Sequence, residues 1–485
     1  HRTRGVASFL DLYEQRYDSS VRQHGRLSFA DVPRLLRELG IGGAADPVWF
    51  RLDSRFDHWM FDEFQDTSFG QWDVVHPLVD EALQDAGGTR SFFAVGDPKQ
   101  SIYLWRQAEP GLFEELIQNY PAGEKQGLQV GTLSRSYRSA PEVLESVNRV
   151  FGDARQIHEL LPGAAKLWRF EPHIAANTAL KGQVRFISTI KDSPLPDWAA
   201  NQEGRSAHLL CAALLREIQP TQRGLSCAVL VRGNNTARQL TEVLRASLDV
   251  PVVCESEHHP ATDNAVTLAL LSLLQLGAHP GDRWAWEHLC MTPLRSYLAD
   301  SGQTPRRLSR RILQQVGERG FTGFTDEWIG VLQGAGIEID AFHRHRLDQF
   351  ADLAAEFDVS GSRDVDAFLK QALEHPARQR GASDAIQVMT IHASKGLEFD
   401  VVMIPELDGD AMDALRQSEW MVARERGVTE WVLKAPLRAF AEMDELLSQQ
   451  IENEKQRASF ESLCRLYVGM TRAKRGLYLL AEPPP

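Results

Sequence analysis

The 485-residue sequence lacks the features that mark several classes of protein. No apolar run approaches the roughly 20 residues that a membrane-spanning helix needs, and the first thirty residues carry Arg, Asp and Glu where a signal peptide would be apolar. The cysteines are few and far apart, with no CxxC pair, which excludes the usual zinc and iron–sulfur sites. They are Cys211, Cys227, Cys254, Cys290 and Cys464. We therefore expect a cytoplasmic chain with reduced thiols and no membrane segment.

Basic residues are also outnumbered by acidic ones, and the formal net charge is −13. A balance of that sign excludes a protein that coats nucleic acid through bulk charge, but it is compatible with a local basic groove. The basic residues are mostly arginine, 43 against 10 lysines, and guanidinium groups are planar donors that suit phosphate. The apolar fraction of 43% is that of an ordinary globular protein, and the length predicts about three domains.

Short apolar runs alternate with helical patterns along the chain, which predicts parallel sheets of the α/β class. Strands are predicted at residues 56–61, 91–95, 183–187, 227–231, 386–391, 401–404 and 477–480. Apolar spacings near 3.6, for example at Phe9, Leu10 and Leu12, predict helices in the first forty residues. Residues 265–384 are predicted to form an almost wholly helical insertion that splits the second α/β unit. The resulting segments are residues 1–127, 128–264, 265–384 and 385–485.

An acidic segment, DEFQDTS, follows the first predicted strand. The adjacent carboxylates of Asp62 and Glu63 can hold a hydrated magnesium ion and orient an attacking water, because hard divalent ions prefer oxygen ligands and retain several waters. Ligands of open α/β sheets gather beyond the carboxyl ends of strands, where this segment and the GDPKQS that follows the second strand both lie. The alternative is an ordinary acidic loop between a strand and a helix.

The segment GDPKQSIYLWR combines an amide with two rings and a guanidinium. Gln100 lies just beyond its strand, where its side chain can sense a terminal phosphate. Tyr103, Trp105 and Arg106 suit unpaired bases, since every base offers a π face and stacking contributes about 1 to 3 kcal/mol per base. The alternative is that Tyr103 and Trp105 are core residues of a helix, and these residues taken alone favour it.

The segment SRSYRS places Tyr137 and Arg138 directly before a helix, whose N-terminus attracts phosphate through free N–H groups and the helix dipole. We expect Ser139 to cap that helix, with Glu142 as its capping-box partner. Its buried stripe is predicted to contain Val143, Leu144, Val147 and Val150. The alternative is a surface turn with a solvated arginine.

Two segments near the end complete the set. In TIHASKGLEF, Gly396 permits close approach of the backbone to a ligand, and Glu398 is placed to accept from a ribose hydroxyl. In LYVGMTRAK, an apolar helix stripe leaves Arg472 near the helix end, just before a turn at Gly476, where it can act as an arginine finger. The stripe comprises Leu463, Leu466, Tyr467 and Met470. The alternative for Arg472 is an ordinary basic residue favoured by the helix dipole.

Taken in order, five segments closely resemble the later motifs of the UvrD/Rep group of superfamily 1 DNA helicases. They are DEFQDTS, GDPKQSIYLWR, SYRSAPEVLESVN, VMTIHASKGLEF and LCRLYVGMTRAKRGLYLL. The resemblance spans nearly the whole chain and is least specific in the helical insertion. Within the group, Pro98 and Lys99 look more like the AddA/RecB branch, the motor subunits of helicase–nucleases that process double-strand breaks.

This resemblance implies two RecA-like motor lobes with parallel sheets. Residues 1–127 would be the end of the first, incomplete lobe with a remnant of its helical insertion, and residues 128–264 and 385–485 the two parts of the second lobe. The resemblance also implies ATP and Mg²⁺ as cofactors and movement from 3′ to 5′ on single-stranded DNA. The implied partners are single-stranded DNA, duplex ends and a second helicase–nuclease subunit, in repair or recombination at the bacterial nucleoid.

By resemblance, the catalytic set comprises Asp62, Glu63, Gln100, Arg138 and Arg472. Asp62 and Glu63 lie at the metal, where Glu63 polarises the attacking water. Gln100 and Arg138 contact the γ-phosphate, and Arg472 is the arginine finger.

Further residues are assigned to the nucleoside and to DNA by the same resemblance. Tyr137 stacks on adenine, Glu398 touches the ribose, and Gly396 lies beside the nucleotide. The positions that match the single-strand track are Tyr103, Trp105, Arg106 and His392.

The chain departs from the family pattern in several places. Gln107 stands where the family usually has Gly, and Gly469 replaces a common Ala, but neither change removes a catalytic group. No GxxxxGK[ST] phosphate loop occurs in the chain, although that loop supplies the cradle and the Lys for the phosphates. Only sixty-one residues precede Asp62, and the nuclease of the AddA/RecB branch is missing too. We therefore expect an internal fragment of a helicase that is inactive as an ATPase alone.

The alternative is a non-catalytic DNA-binding or scaffold subunit that has lost its phosphate loop. Loss of that kind should also have eroded the finger and the water-activating acid, and both are present, so we prefer the fragment. A separate hypothesis is duplex contact by a basic cluster in the insertion, with a solvated basic face as the alternative. The cluster comprises Arg306, Arg307, Arg310 and Arg311.

Overall fold

The structure is a computed structural model of the whole chain. It describes residues 2–25, 27–28, 31–38, 56–85, 87–121, 128–188, 206–254, 261–262, 264–337, 339–374, 385–407, 412, 420–436, 438–441 and 443–481. The boundaries predicted at residues 127 and 384 lie outside these described residues.

The strands, in chain order, are β1 His58–Phe61, β2 Ser91–Ala94, β3 Arg135–Ser136, β4 Ile174–Ala175, β5 Gln183–Ser188, β6 Cys227–Val231, β7 Val252–Cys254, β8 Ile386–Thr390, β9 Phe399–Ile404, β10 Trp420–Glu425, β11 Val428–Lys434 and β12 Ala473–Ala481. The α-helices are α1 Arg2–Ser20, α2 Asp31–Glu38, α3 Phe69–Leu83, α4 Leu112–Asn119, α5 Pro141–Phe151, α6 Ala154–Leu160, α7 Pro162–Ala165, α8 Ser206–Ile218, α9 Asn234–Ser247, α10 Ala265–Ala278, α11 Arg283–Met291, α12 Leu294–Asp300, α13 Pro305–Gly334, α14 Ala341–Val359, α15 Val365–Glu374, α16 Arg438–Ala441 and α17 Glu445–Met470.

The elements form two compact units. The first comprises His1–Arg185, Ser394–Glu398 and Leu407–Leu477, and the second comprises Phe186–Ala393, Phe399–Glu406 and Tyr478–Pro485. In the part of the chain that the structure describes, no helix combines the length and apolar character needed to cross a membrane.

In the first unit, β1 and β2 pair in parallel. Side chains alternate across a strand, so one face of this pair packs on an aromatic core that includes Phe64 and Trp72. The other face presents Met60 and Phe93, whose surfaces are 81% and 57% exposed. Because both strands end at one edge, the loops that follow them share it, which places the two predicted polar segments side by side.

The second unit contains a six-stranded sheet of order β5-β12-β9-β6-β8-β7, to which β5 and β12 contribute their last residues. The pairs β7–β8, β8–β6 and β6–β9 are parallel. Strand β6 is buried along its whole length, as expected for a parallel strand covered on both faces, and helices α8 and α9 pack against it. The α/β class predicted from the sequence is confirmed.

Helices α10 to α15 lie within the predicted helical insertion and share one large apolar core. Of its four clustered arginines, Arg311 bonds to Glu327 and Tyr297 and lies over Trp328. The other three are exposed, so the hypothesis of duplex contact rests on them alone.

Three local predictions about helix α5 were wrong. Helix α5 begins at Pro141 with Ala140 as N-cap, because the residue before a proline is driven out of the helical region. Ser139 instead donates to the carbonyl of Ala473, and Glu142 accepts from the N–H of Gly182. On the same helix Phe151 is buried where Val150 was expected.

At the end of the chain, β12 begins directly after Arg472, so Gly476 lies within a strand and not in a turn. In α1 the helix is confirmed, but Phe9, Leu10 and Leu12 are exposed.

Two glycines of α13 provide a paired test of helix packing. Gly320 has φ +73, and a Cβ there would lie 2.5 Å from the carboxylate of Asp358, which accepts from the N–H groups of Phe321 and Thr322. We expect Gly320→Ala to lower the free energy of unfolding by about 2 to 4 kcal/mol through strain and crowding. Gly317→Ala meets open space and should raise it by roughly 1 kcal/mol or less. Urea unfolding followed by circular dichroism measures both, and equal midpoints would contradict the prediction.

Candidate functional site

The acidic loop after β1 exposes two carboxylates on an unusual backbone. Glu63 has a left-handed conformation, φ 51, and its N–H bonds the carboxylate of Asp62 at 2.8 Å. The amide of Gln65, which is fully buried, donates to the carboxylate of Glu63 and accepts from the N–H of Asp97 at 2.8 Å. A strained backbone held by a buried partner fixes where Glu63 points.

The loop after β2 approaches this acidic loop as closely as a glycine allows. A Cβ on Gly96 would lie 2.2 Å from the side-chain oxygen of Gln65 and 2.9 Å from the nitrogen of Phe64. The following short 3₁₀ helix, Pro98–Gln100, is capped by Asp97. Gln100 donates from its amide to Asp97 at 3.1 Å, so its carbonyl oxygen is aimed away from that residue.

Lys395, from the TIHASKGLEF segment, ties both loops together. Its ammonium donates to the carboxylate of Asp66 and, at 2.9 Å, to the main-chain carbonyl of Gln100, and it lies 3.6 Å from the carboxylate of Glu63. The lysine side chain is only 7% exposed. Burial raises the pKa of Asp66 above its usual range, against the effect of Lys395. The next residue, Gly396, has φ +82 with open space on its Cβ side.

Arg472 is a buried cation with neutral partners. Its guanidinium donates to the carbonyls of Val468 and Leu397 at 3.0 and 3.2 Å and to the side-chain oxygen of Gln100 at 3.3 Å. It is 1% exposed, and no carboxylate of the described residues lies within 4 Å of it. Burial, and next the charge of Arg138, lower the pKa of Arg472 to about 10. The carboxylates of Glu63 and Asp97 favour its charged form from farther away, but no carboxylate of the described residues forms an ion pair with this guanidinium.

Arg138 and Glu398 are bonded to each other. The guanidinium of Arg138 donates to Glu398 at 2.8 Å, and Lys474 also contacts this carboxylate at 2.6 Å. These hydrogen bonds, first from Lys474 and then from Arg138, lower the pKa of Glu398. The neighbouring ring of Tyr137 is 80% exposed and presents a face to solvent.

The carboxylate oxygens fit a magnesium ion that takes most of its ligands from water and phosphate and only a few from the protein. In the described ranges, no group of three or more His, Cys, Asp or Glu side chains is arranged to hold a metal. Asp62 and Glu63 are exposed, and Asp66 Oδ1 is buried without a hydrogen-bond partner. Mg²⁺ characteristically takes one or two carboxylates and completes its shell with water and phosphate.

The aromatic segment is not a helix core, so the alternative favoured by those residues alone was wrong. Trp105 is half-exposed on a short 3₁₀ helix, with Arg106 over its ring at 4.6 Å. The guanidinium of Arg106 and the ammonium of Lys395 lie 5.6 and 5.1 Å from the centre of the Tyr103 ring. His392 follows β8 in the second unit.

The first unit thus brings together nearly every candidate for nucleotide chemistry. Sequence reasoning missed Lys395, Asp66, Gln65 and Asp97 as connecting residues. Lys395 and Asp66 lie inside quoted motifs, so the signal was present, but their roles depend on hydrogen bonds between segments more than 290 positions apart.

Comparison with known proteins agrees with these motifs. A family model described as the UvrD/REP helicase N-terminal domain matches residues 2–121, and one described as the UvrD-like helicase C-terminal domain matches residues 337–482. An ATP-dependent helicase/nuclease subunit from Streptococcus pneumoniae (strain CGSP14) is 24% identical over 98% of this chain, and its namesake from Geobacillus thermodenitrificans (strain NG80-2) is 25% identical over 98%. The chain spans 44% of the length of each of these relatives.

The pair of Arg138 and Glu398 gives a pH-dependent prediction. Because the folded state lowers the pKa of Glu398, its contribution to stability is present above the usual value of 4.5 and is lost as the pH falls through the lowered pKa. Glu398→Gln should remove this acid-side loss, with a small amplitude because the pair is partly exposed. Melting temperatures measured from about pH 3 to pH 7 check it. Glu159→Gln, which touches only exposed Arg155, is the control, and a Glu398→Gln curve parallel to the wild type would contradict the prediction.

Proposed function

The chain belongs to the UvrD-like helicase family, and from this premise we propose that it forms part of an ATP-driven, 3′-to-5′ DNA helicase or translocase of the AddA/RecB type. Its substrates would be single-stranded DNA and duplex ends, in double-strand break repair or recombination at the bacterial nucleoid. A second helicase–nuclease subunit would be its protein partner, as the word "subunit" in the names of its relatives indicates for those proteins.

The observation that carries the proposal is the buried guanidinium of Arg472, which has neutral hydrogen-bond acceptors and no ion pair among the described residues. Burying a cation without an ion pair costs several kcal/mol, and Glu63 and Asp97 offset only part of that cost here, so the fold gains when an anion binds. Gln100 accepts a hydrogen bond from the guanidinium. Glu63 lies 3.6 Å from the ammonium of Lys395, which also donates to the main-chain carbonyl of Gln100. A phosphate chain placed there would meet a charge-assisted donor that needs no rearrangement at the moment of reaction.

We assign roles to the remaining residues on this basis. Asp62 and Glu63 would hold the magnesium ion, which when bound neutralises charge developing on the phosphates. Glu63 would orient the attacking water, and Gln100 would hydrogen-bond the terminal phosphate. Arg472 would stabilise the charge that develops as the bond to that phosphate breaks.

The nucleoside end would be held by the exposed ring of Tyr137 and by Glu398. Arg138 occupies Glu398 in this structure, so a ribose hydroxyl that takes over the carboxylate would release Arg138 for the phosphates. Gly396 leaves open space beside that carboxylate. The exchange would couple recognition of the sugar to the supply of positive charge.

DNA would be bound by Tyr103, Trp105 and Arg106 of the first unit. His392, in the second unit, is a separate proposed contact with DNA. Lys395 touches the Tyr103 ring on one side and Asp66 on the other. Movement of the ring on DNA binding would therefore shift Lys395 and, with it, the acidic loop. Lys395 would be a positioning residue that connects the DNA strand to the nucleotide site.

The chain alone would turn over ATP negligibly, because it contains no GxxxxGK[ST] loop. The second candidate function is a non-catalytic scaffold that binds DNA without hydrolysing ATP. The buried Arg472 favours the motor, since a scaffold gains nothing from the cost of an unpaired cation.

Trp105→Ala should weaken binding of single-stranded DNA by about fivefold or more, because base stacking on a ring contributes about 1 to 3 kcal/mol. Fluorescence anisotropy with a labelled dT oligonucleotide at fixed, low salt measures the affinity. Trp284→Ala, an equally large exposed ring in the helical insertion, is the control and should leave the affinity unchanged. Equal affinities for wild type and Trp105→Ala would count against the assigned strand site.

The nucleotide site is tested by photolabelling with 8-azido-ATP and Mg²⁺. The labelled peptide should contain Tyr137, excess ATP should compete, and Arg472→Gln should reduce labelling about tenfold or more, since hydrogen bonds to charged groups contribute about 1.5 to 3 kcal/mol. Arg149→Gln, an exposed arginine of α5, is the control. Labelling that is indifferent to Arg472→Gln would refute the site. Robust ATP turnover by this chain would refute the requirement for a phosphate loop.

A further inference from the structure

A polar cleft in the first unit lies beside the aromatic segment. It has a volume of about 250 Å³ and is lined partly by the β10–β11 hairpin, partly by α17, and partly by Leu104 and Gln107, which flank Trp105 and Arg106. None of the roles assigned above uses this cleft. Its position makes it continuous with the residues proposed to hold the DNA strand.

The roof of the cleft is the tip of the β10–β11 hairpin, and it is firmly anchored. Arg426, at the tip, contacts both carboxylate oxygens of Glu115 at 2.9 Å and lies 3.6 Å from the carboxylate of Asp73. Its guanidinium also covers the ring of Phe69 at 4.6 Å. Phe69 begins the helix that follows the acidic DEFQDTS segment, so the roof is fixed to the same loop that carries Asp62 and Glu63.

One wall is made by Gln107, the residue that stands where the family usually has Gly. Gln107 has φ +68, a conformation that favours glycine, yet its side chain reaches the hairpin turn, where a Cβ on Gly427 would lie 3.6 Å from its amide oxygen. The cost of the backbone strain at residue 107 has to be offset by the contacts that its side chain makes. Here it adds an amide to the cleft.

The floor is α17. Gln450 donates to the carbonyl of Val422 at 3.0 Å and to Glu454 at 3.1 Å, which joins helix and hairpin. Arg457 lies 3.5 Å from the carboxylate of Glu109 on the opposite wall. The cleft is therefore braced on three sides by hydrogen bonds and ion pairs.

The chemistry of the lining favours a base over a phosphate. Of the three guanidinium groups in its lining, those of Arg426 and Arg457 already face carboxylates, and that of Arg424 forms no ion pair among the described residues. Amides that both donate and accept line it, together with acceptor carboxylates and apolar surface from Val422 and Leu104. Carboxylates repel phosphate, whereas base edges present donors and acceptors that amides, carboxylates and arginine can read.

We propose that this cleft takes one unstacked nucleobase of single-stranded DNA, next to the base that Trp105 stacks. The proposal rests on the assigned DNA strand site, which it extends from stacking to recognition of a base edge. Gln107 and Asn453 are the amides that contact the base, and the hairpin holds the roof that closes over it.

The test is photo-crosslinking of this chain to a dT oligonucleotide that carries 4-thiothymidine. Crosslinks should map to peptides of the β10–β11 hairpin or of α17, as well as to the Trp105 segment. The double variant Gln107→Gly and Asn453→Ala should lower the hairpin and α17 crosslinks about fivefold or more while the Trp105 crosslink persists. Glycine suits the backbone of residue 107, so the variant keeps the fold.

The control is Gln314→Ala, an exposed amide that bonds only to Glu318 in the helical insertion. Crosslinks confined to the Trp105 segment, or hairpin crosslinks that the double variant leaves unchanged, would overturn the nucleobase cleft and leave the strand site intact. Absence of any crosslink together with absence of single-strand binding would instead overturn the proposed function, and the cleft assignment with it.

Discussion

The interaction on which the site depends is the burial of the Arg472 guanidinium among neutral acceptors. Taking a cation out of water is costly, and main-chain carbonyls repay only part of that cost. Two elements hold the guanidinium in place. The buried side chains of Leu463, Tyr467 and Met470 fix the end of the long helix α17, and β12 begins at the residue after Arg472. The Tyr467 hydroxyl then bonds Asp97 at 3.3 Å. Through this bond and the bond from Arg472 to Gln100, the loop that carries Gln100 is held in a fixed position relative to the charge of Arg472.

Patterns local in sequence predicted the elements well. The strand at residues 227–231 appears with those bounds, because a fully buried parallel strand is a continuous apolar run that needs no distant information. The helices between residues 265 and 374 were also predicted, because helical periodicity repeats along this segment. These features depend only on which side chains avoid water.

Predictions failed where a local signal competed with a distant partner. Ser139 has the chemistry of an N-cap, but its hydroxyl goes to Ala473, and the proline at residue 141 already starts the helix. The alternative that Trp105 is a helix-core residue was also wrong, because the segment forms a short 3₁₀ helix that leaves the ring half-exposed. Lys395 went unrecognised because its partners lie in two other segments. The sequence shows which residue types form such a site, but the hydrogen bonds that connect its segments depend on the tertiary structure.

The uncovered face of the β1–β2 pair has a consequence for the colloidal behaviour of the chain. Two strands alone are marginal in water, and within the described residues these two pair only with each other. Met60 and Phe93 add an apolar surface beside unpaired strand edges, the combination that templates sticking between molecules. We expect this patch to promote association between molecules, against the overall negative charge of the chain. A polypeptide that covered this face would remove the apolar surface and support the strand edge that carries the acidic loop.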